Sequence, residues 1–303
     1  MTPGADNDPA VSVGLAVRNG LGTIERCIES ILSQDFADLE LIVSDNASDD
    51  GTIETVEGYV RVDPRVRLRV NPVNVGIQEN MNRVLVPARG SYFRWISADD
   101  WLEPGCLSAC VAALQDRPDA VGVTSGFTIH APAGDTRYEE YDGEFPTSPD
   151  PARRFERMLW FFHAGDAKYD PVYGVFRRDP LGRSRGHQPI ERTDWLLAAE
   201  LALMGPILHV PERLAHRTSD HVTGSEQHRA LLRRLDPNRP EQLGRSPQGL
   251  TRELYGLAAG ADLSDEQLRR CRRALRSFWL KEVGRQSRSK VADAKHRLLA
   301  TRS

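Results

Sequence analysis

Asp99 and Asp100 follow the run Arg94-Trp-Ile-Ser97, at the point where a buried strand would meet solvent. Adjacent carboxylates are hard-cation ligands and can hold Mg2+ or Mn2+ against a diphosphate. An extended backbone points neighbouring side chains apart, so one acid would meet a metal and the other a ribose hydroxyl. The plainer assignment is a helix-capping acid and a solvated neighbour ahead of Pro104. Asp45 also ends an apolar run, in a loop crowded with Asn46, Ser48, Asp49 and Asp50. It reads either as an Asx-turn acid or as a contact for a nucleotide base or ribose. Gly20-Leu-Gly22 with Asp45 downstream partly matches a dinucleotide fingerprint. Glu25, however, takes the third glycine position and sits near the helix start where a pyrophosphate would lie.

The elements that must position these acids alternate between strand and helix signals. Apolar runs at 11–17, 39–43, 66–70, 91–96 and 121–124 are of strand length. Thr23 can cap a helix whose Ile24, Ile28, Ile31 and Leu32 share one face. Helices are also expected after Gly51, over 78–86, and from Pro104 through 106–114. Repeated β-α-β units imply a mainly parallel, Rossmann-like sheet covered by helices. In such sheets ligands bind at the carboxyl ends of the strands. That topology gathers Arg18-Asn19, the 45–51 loop and the 97–100 loop at one edge.

Beyond Gly126 the pattern loosens. Residues 131–151 read as a loop or lid, 153–162 as a helix, and 173–176 as a short strand. Residues 182–189 are polar and irregular. Residues 193–204 form a helix with Leu196, Leu197, Leu201 and Leu203 as core candidates; 207–210 and 214–217 look extended. From Glu226 onward the chain is helical and Arg-rich, interrupted at 236–247.

The 303 residues carry a net charge of −3, with 40% hydrophobic and 27% charged residues, the balance of a globular domain. From Leu263 to Ser303, Lys and Arg outnumber Asp and Glu by eight, leaving −11 on the first 262 residues. Cys27, Cys106, Cys110 and Cys271 are too scattered for a disulfide framework or a Cys-rich zinc site, which suits a reducing compartment. The acidic, polar first nine residues do not read as a signal peptide. No apolar run approaches the roughly 20 residues of a membrane-spanning helix.

Four segments together resemble the family 2 glycosyltransferases. They are residues 11–19; Val43-Ser-Asp-Asn-Ala-Ser-Asp-Asp-Gly-Thr52; residues 71–76 with Asn80 and Asn82; and Ser97-Ala-Asp-Asp-Trp-Leu-Glu-Pro104. The resemblance covers roughly 11–225 and is most specific over the first 105 residues. It implies a GT-A fold and inverting transfer from a nucleotide-sugar donor, UDP- or dTDP-linked, with Mg2+ or Mn2+ as cofactor. By the same resemblance Ala16, Arg18 and Asn19 surround the donor base, and Asp45 contacts it. Arg18 stands where many members have an aromatic residue, so a guanidinium would do the stacking. Asp99 would meet ribose and Asp100 the metal; the first acid of the family's Asp-x-Asp motif is Ala98 here, or is displaced.

The family's catalytic base opens a helix in the second half, after a Glu. The best match is Asp194, with Thr193 in place of the Glu and Glu191 as the fallback. A first-turn acid is also favoured simply by the helix dipole. His216-Arg-Thr-Ser-Asp-His221 resembles the segment where a basic residue reaches the diphosphate or a His the metal, which nominates His216, Arg217 and His221. Gly174-Val-Phe-Arg-Arg178 resembles the acceptor-side strand, which nominates Arg177. Tyr173, Trp160 and Trp195 are sugar-stacking candidates, although aromatic residues in these settings are more often core. His163, Asp166 and Lys168 are further cleft candidates.

The expected division is a glycosyltransferase domain over 1–225, with a nucleotide-sugar half over 1–125 and an acceptor half over 126–225. A basic helical extension follows over 226–303. Within it, residues 269–290 combine Arg269, Arg270, Arg272, Arg273, Arg276, Lys281, Arg285, Arg288 and Lys290 with Phe278 and Trp279. Such a helix either caps the body or touches anionic lipid, which would place a cytoplasmic protein at the inner face of a membrane. The acceptor is a glycan, a lipid-linked molecule or a small molecule, and polysaccharide assembly and natural-product glycosylation both stay open. Nucleic acid is not an expected partner, because no recognised module accompanies the charge. The rival readings are an NAD(P)-dependent Rossmann-type oxidoreductase, which gives Asp99-Asp100 no task, and a non-catalytic protein that binds a glycan or partner.

Overall fold

A computed structural model describes residues 8–131, 134–164, 168–218 and 246–300, with side chains described for 249–284 of the last segment. His221, Asp166 and most of the 236–247 interruption lie outside the described residues, as do the side chains of Arg285, Arg288 and Lys290.

Strands β1 (Val11–Val17), β2 (Leu39–Asp45), β3 (Val66–Val70) and β4 (Tyr92–Ser97) are parallel and ordered β3-β2-β1-β4. Helices α1 (Ile24–Leu32), α2 (Thr52–Val62) and α3 (Ile77–Leu85) connect them. Val17 lies level with Asp45, and Ala16 with Ser97, so the strands end together and their loops share one edge. Gly51 (φ 99°) and Gly76 (φ 89°) turn the chain into α2 and α3 through left-handed conformations that only glycine adopts freely.

The second half contributes β5 (Trp101–Leu102), α4 (Cys106–Asp116), β6 (Gly122–His130), β7 (Thr136–Arg137), α5 (Pro151–Ala164), β8 (Val175–Arg177), α6 (Arg178–Arg183), α7 (Thr193–Met204), β9 (Ile207–Thr218), α8 (Ser246–Gly260) and α9 (Asp265–Ala300). Short β8 is antiparallel to both β4 and β6 and joins the two halves into one mixed sheet. β9 runs parallel to β6, and β5 pairs antiparallel with β9 beside the 97–100 loop. The pieces expected at 207–210 and 214–217 are one strand, with a register shift opposite Ser125–Phe127. Helix α6 lies partly within the stretch read as irregular; at six residues it is too short to leave a periodic signal.

Side chains alternate across β4. Phe93 and Trp95 join the apolar layer beneath α3, α5 and α7, while Tyr92 and Ile96 join the layer beneath α1 and α4. Cys271, Leu275 and Phe278 of α9 are buried in the same layer as Phe155 of α5 and Leu197 of α7. The basic helix is therefore packed on the body through one apolar face. Among the described residues no helix is long and apolar enough to cross a membrane.

Candidate active site

The loops after β1 and β2 are bound to each other. The Asn19 amide donates to Ser48 Oγ (2.8 Å), the Asp49 amide to Asn19 Oδ1 (3.1 Å), and the Leu21 amide to Asp50 Oδ2 (3.0 Å). Beneath them Asn80 of α3 accepts from Ser44 Oγ (2.7 Å) and Asn71 Nδ2 (2.9 Å), and donates to the Ser44 carbonyl (2.9 Å). One buried amide thus pins the ends of β1, β2 and β3. Asn46 ties the same edge to the next loop through Asn74 Oδ1 and the Val75 amide, both at 2.8 Å.

Asp45 is fully buried at the end of β2. Its Oδ1 accepts from the Ser48 amide (2.8 Å), while Oδ2 has no protein donor. A buried carboxylate oxygen without a donor is costly unless something supplies one. In the neighbouring strand and its loop Ala16 is half-buried, and Arg18 and Asn19 are exposed.

Asp100 is buried and Asp99 half-buried; the backbone here is a turn, not the expected extended segment, closed by the Asp100 amide donating to the Ser97 carbonyl (3.1 Å). Asp100 Oδ1 accepts from the Thr218 amide (2.9 Å), and Thr218 Oγ1 donates to the Asp99 carbonyl (2.8 Å). Asp100 Oδ2 lies 2.7 Å from Arg217 Nε, an ion pair without hydrogen-bond geometry. Burial raises the Asp100 carboxyl to about 6 despite the pull of Arg217. Burial also works against the Arg217 charge, but Asp100 and Asp170 outweigh it and push its pKa up. Arg217 also pairs with Asp170 and lies 3.6 Å over the Tyr173 ring, whose hydroxyl is 3.0 Å from Ser97 Oγ.

His216 stands beside this cluster with every polar atom engaged. It stacks on Trp101 at 4.6 Å and meets His130 Nε2 (2.9 Å) and Glu103 Oε1 (2.6 Å). Arg26 also lies over the Trp101 ring, at 3.6 Å.

Asp194 is the second residue of α7. Its side chain is open to solvent, yet protein crowds it at longer range. That crowding and the charge of Asp170 raise its carboxyl to about 6. The structure therefore brings Asp194 within electrostatic reach of Asp170, which is itself paired with Arg217. Asp170 was not singled out from the sequence. No motif marks it, and only the fold carries the loop before β8 to the end of β4. Glu191 is half-buried in the turn before α7.

Among the described residues three non-glycine residues have positive φ: Asn19 (54°), Ala47 (58°) and Arg192 (60°). All three lie in the loops that carry these candidates. Outside asparagine this conformation costs about 1–2 kcal/mol, and it persists where surrounding contacts enforce it.

Two nominated residues are placed away from the cleft. Arg177 lies opposite Tyr92, at the beginning of β4. Its guanidinium donates to the carbonyls of Ala120 (2.9 Å) and Leu114 (2.6 Å), closing the end of α4. The acceptor-side role is corrected accordingly: antiparallel β8 carries Arg177 toward the amino edge of the sheet. The Trp195 ring stacks on Phe162 (4.6 Å) and beneath Arg192 (4.3 Å), and is packing surface. Trp160 is partly exposed and stacks with Arg157 (3.9 Å); Lys168 pairs with Glu139. His163 faces Glu282 of α9 at 3.6 Å.

Among the described residues no three His, Cys, Asp or Glu side chains form a metal-binding group. The donor set nevertheless fits a hard cation. Asp100 aims one carboxylate oxygen at a cation, Arg217, and Mg2+ is commonly held by one or two carboxylates with substrate phosphates and water.

The mixed α/β sheet, with acids at the carboxyl ends of its parallel strands, is a GT-A-type glycosyltransferase fold. Two solved structures share it at 17% identity. The UDP-GlcNAc complex of S. aureus TarS superposes with TM-score 0.63 over 88% of this chain and 71% of that one. The mannosyltransferase PcManGT from Pyrobaculum calidifontis, solved with GDP-Man and Mn2+, gives TM-score 0.56 over 98% of this chain and 81% of that one. The chain belongs to glycosyl transferase family 2, whose family model matches residues 12–181. An uncharacterized glycosyltransferase of Haemophilus influenzae is 32% identical over 231 residues, 73% of this chain and 69% of that protein. The chondroitin synthase of Pasteurella multocida is 34% identical over 123 residues, 40% of this chain. That stretch is only 13% of the synthase.

Proposed function

We propose that this glycosyltransferase moves a sugar from a nucleoside-diphosphate donor to an acceptor hydroxyl with inversion. The observation that carries the reading is the gathering of Asp45, with its unpartnered oxygen, and Asp99-Asp100 at one sheet edge, with Asp194 of α7 linked to them through the charge of Asp170, which pairs with the Arg217 that meets Asp100. Asp45 Oδ2 accepts a nucleobase N–H, and Arg18 and Asn19 flank the base. UDP- or dTDP-sugars are the donors that the family resemblance implies. The uridine nucleotide of the TarS complex supports that choice, and the GDP-Man of PcManGT supports the wider donor class. Asp99 meets ribose.

Asp100, with Asp99 beside it, would hold Mg2+ or Mn2+, which supplies Lewis-acid neutralisation of the departing diphosphate. Arg217 presents a fixed positive charge to the same phosphates. Asp194 takes the proton of the attacking hydroxyl. As the acceptor oxygen bonds to the anomeric carbon, the carbon–oxygen bond to the diphosphate breaks on the opposite face. The nucleoside diphosphate leaves with that electron pair, and configuration inverts.

The acceptor is a glycan, a lipid-linked molecule or a small molecule. Exposed Arg272, Arg273, Arg276 and Lys281 beside exposed Trp279, Leu280 and Val283 support peripheral contact of α9 with an anionic membrane. The oxidoreductase reading loses its support, because Glu25 occupies the first turn of α1.

A thermal-shift panel of nucleotides and nucleotide sugars, with and without Mn2+, tests the proposal. Cognate donor raises Tm in a Mn2+-dependent way, and Asp100→Asn abolishes the Mn2+ effect. Asp194→Asn keeps donor binding and loses roughly 10²–10⁴ in turnover. NAD(P)H that stabilises the fold while nucleotide sugars do not would refute the donor class. Donor binding without any hydrolysis or transfer across the panel would leave a non-catalytic binder.

A further inference from the structure

The C-terminal helix α9 reaches the turn that carries the proposed base. Arg192 immediately precedes α7 and holds φ 60°, ψ 39°, a left-handed conformation unusual for a long side chain. Its carbonyl accepts from the amides of Trp195 (3.0 Å) and Leu196 (3.3 Å), so this residue begins the helix on which Asp194 is the second position. Its side chain turns the other way. Nη1 donates to Glu282 Oε2 at 2.8 Å, and the guanidinium lies 4.3 Å over Trp195.

Glu282 is 3% exposed, in the midst of an apolar layer. Its other oxygen faces His163 at 3.6 Å, and Phe278, one turn earlier on α9, contacts His163 at 4.8 Å. A carboxylate removed from water depends strongly on its partner, so Glu282 holds Arg192 firmly. A side chain anchored on α9 and a carbonyl anchored in α7 leave the backbone between them little freedom. From the donor half, Gln78 Nε2 reaches the same turn only at the Ile190 carbonyl (3.5 Å) among the described residues, and residues 12–181 matched by the family model include neither Arg192 nor Glu282.

We propose that Glu282 is a positioning residue for sugar transfer: through its buried ion pair with Arg192 it fixes the turn that aims Asp194 into the cleft. The inference rests on Asp194 being the base. It gives the C-terminal helix a task in catalysis separate from any surface it presents to a membrane.

The test uses the full chain with Glu282→Gln, Glu282→Asp, Arg192→Gly and Asp194→Asn. Donor hydrolysis, with water in place of the acceptor, supplies kcat and KM for the donor selected in the thermal-shift panel. Hydrogen exchange supplies the local opening of residues 190–197. Glu282→Gln should lower kcat by about tenfold or more with donor KM within twofold, since a small misplacement of a catalytic group is enough. Exchange should rise in 190–197 and stay unchanged in the donor-half loops. Glu282→Asp should recover part of the loss. Arg192→Gly relaxes the strained backbone while deleting the pair, and should show the same loss of kcat.

Wild-type kcat in Glu282→Gln or in Arg192→Gly overturns the proposal. So does a loss shared equally by kcat and donor affinity with exchange rising throughout, which marks a merely structural contact. Asp194→Asn separates this failure from failure of the base assignment. If that variant turns over normally the base is elsewhere, while exchange in 190–197 still reads whether Glu282 fixes the turn.

Discussion

A base whose carboxyl titrates near neutrality leaves a mark on the pH profile. Crowding by protein and the charge of Asp170 bring Asp194 from the usual carboxylate range to about 6. The ionised form does the work, so activity is present above pH 6 and lost as pH falls through it. At pH 7 about nine-tenths of the groups are ionised, and at pH 5 about one-tenth, so kcat should fall roughly tenfold between them. An aspartate at its ordinary value would stay more than about nine-tenths ionised at pH 5 and give a nearly flat profile. Asp100 is raised as well, so the measurement must be kcat at saturating donor and Mn2+, where the bound cation keeps Asp100 ionised. Nucleoside diphosphate release between pH 5 and 8 is the assay. Asp170→Asn removes the neighbouring negative charge and should move the limb to lower pH. A flat kcat down to pH 5, or a limb that Asp170→Asn leaves in place, would refute the electrostatic argument.

Arg177→Met should cost about 1–3 kcal/mol of stability by freeing the Leu114 and Ala120 carbonyls, and leave donor affinity unchanged. A calorimetric loss of donor binding at wild-type Tm would place Arg177 at the bound donor instead. Asn80→Ala should destabilise by about 2–3 kcal/mol and weaken nucleotide binding, because it unpins Ser44 and Asn71 together; unchanged denaturant unfolding would contradict this. Arg94→Met should be neutral or stabilising. The guanidinium is 1% exposed among Cys27, Cys106 and Cys110, and its Nε and Nη1 have no protein acceptor. A loss above about 1 kcal/mol in urea would show that the charge is compensated.

The donor half was legible because its signals are local. The apolar runs at 11–17 and 66–70 are strands with those bounds, and Thr193 and Met204 bound α7 as periodicity places them. The loops after β1, β2 and β4 meet at one edge because parallel strands joined by helices must end on the same side. The second half was less legible. Its strands are short and antiparallel, and β8 carries three residues, too few for a pattern. That brevity is why Arg177 looked like a site residue: adjacency to Gly174 is visible in a sequence, while strand direction is not.

Residue chemistry by itself determined which acids stand at strand ends, that the first half forms β-α-β units, and that positive charge gathers after Leu263. Tertiary structure alone decided which partners those groups have. It set Arg217 against Asp100 across more than a hundred residues, brought unmarked Asp170 near Asp194, and turned Trp195 into packing. It also buried Glu282 of the basic helix against Arg192. The physical reason is the range of the forces concerned. Strand and helix signals arise between near neighbours in the chain, whereas desolvation and ion pairing depend on what the completed fold places within a few ångströms.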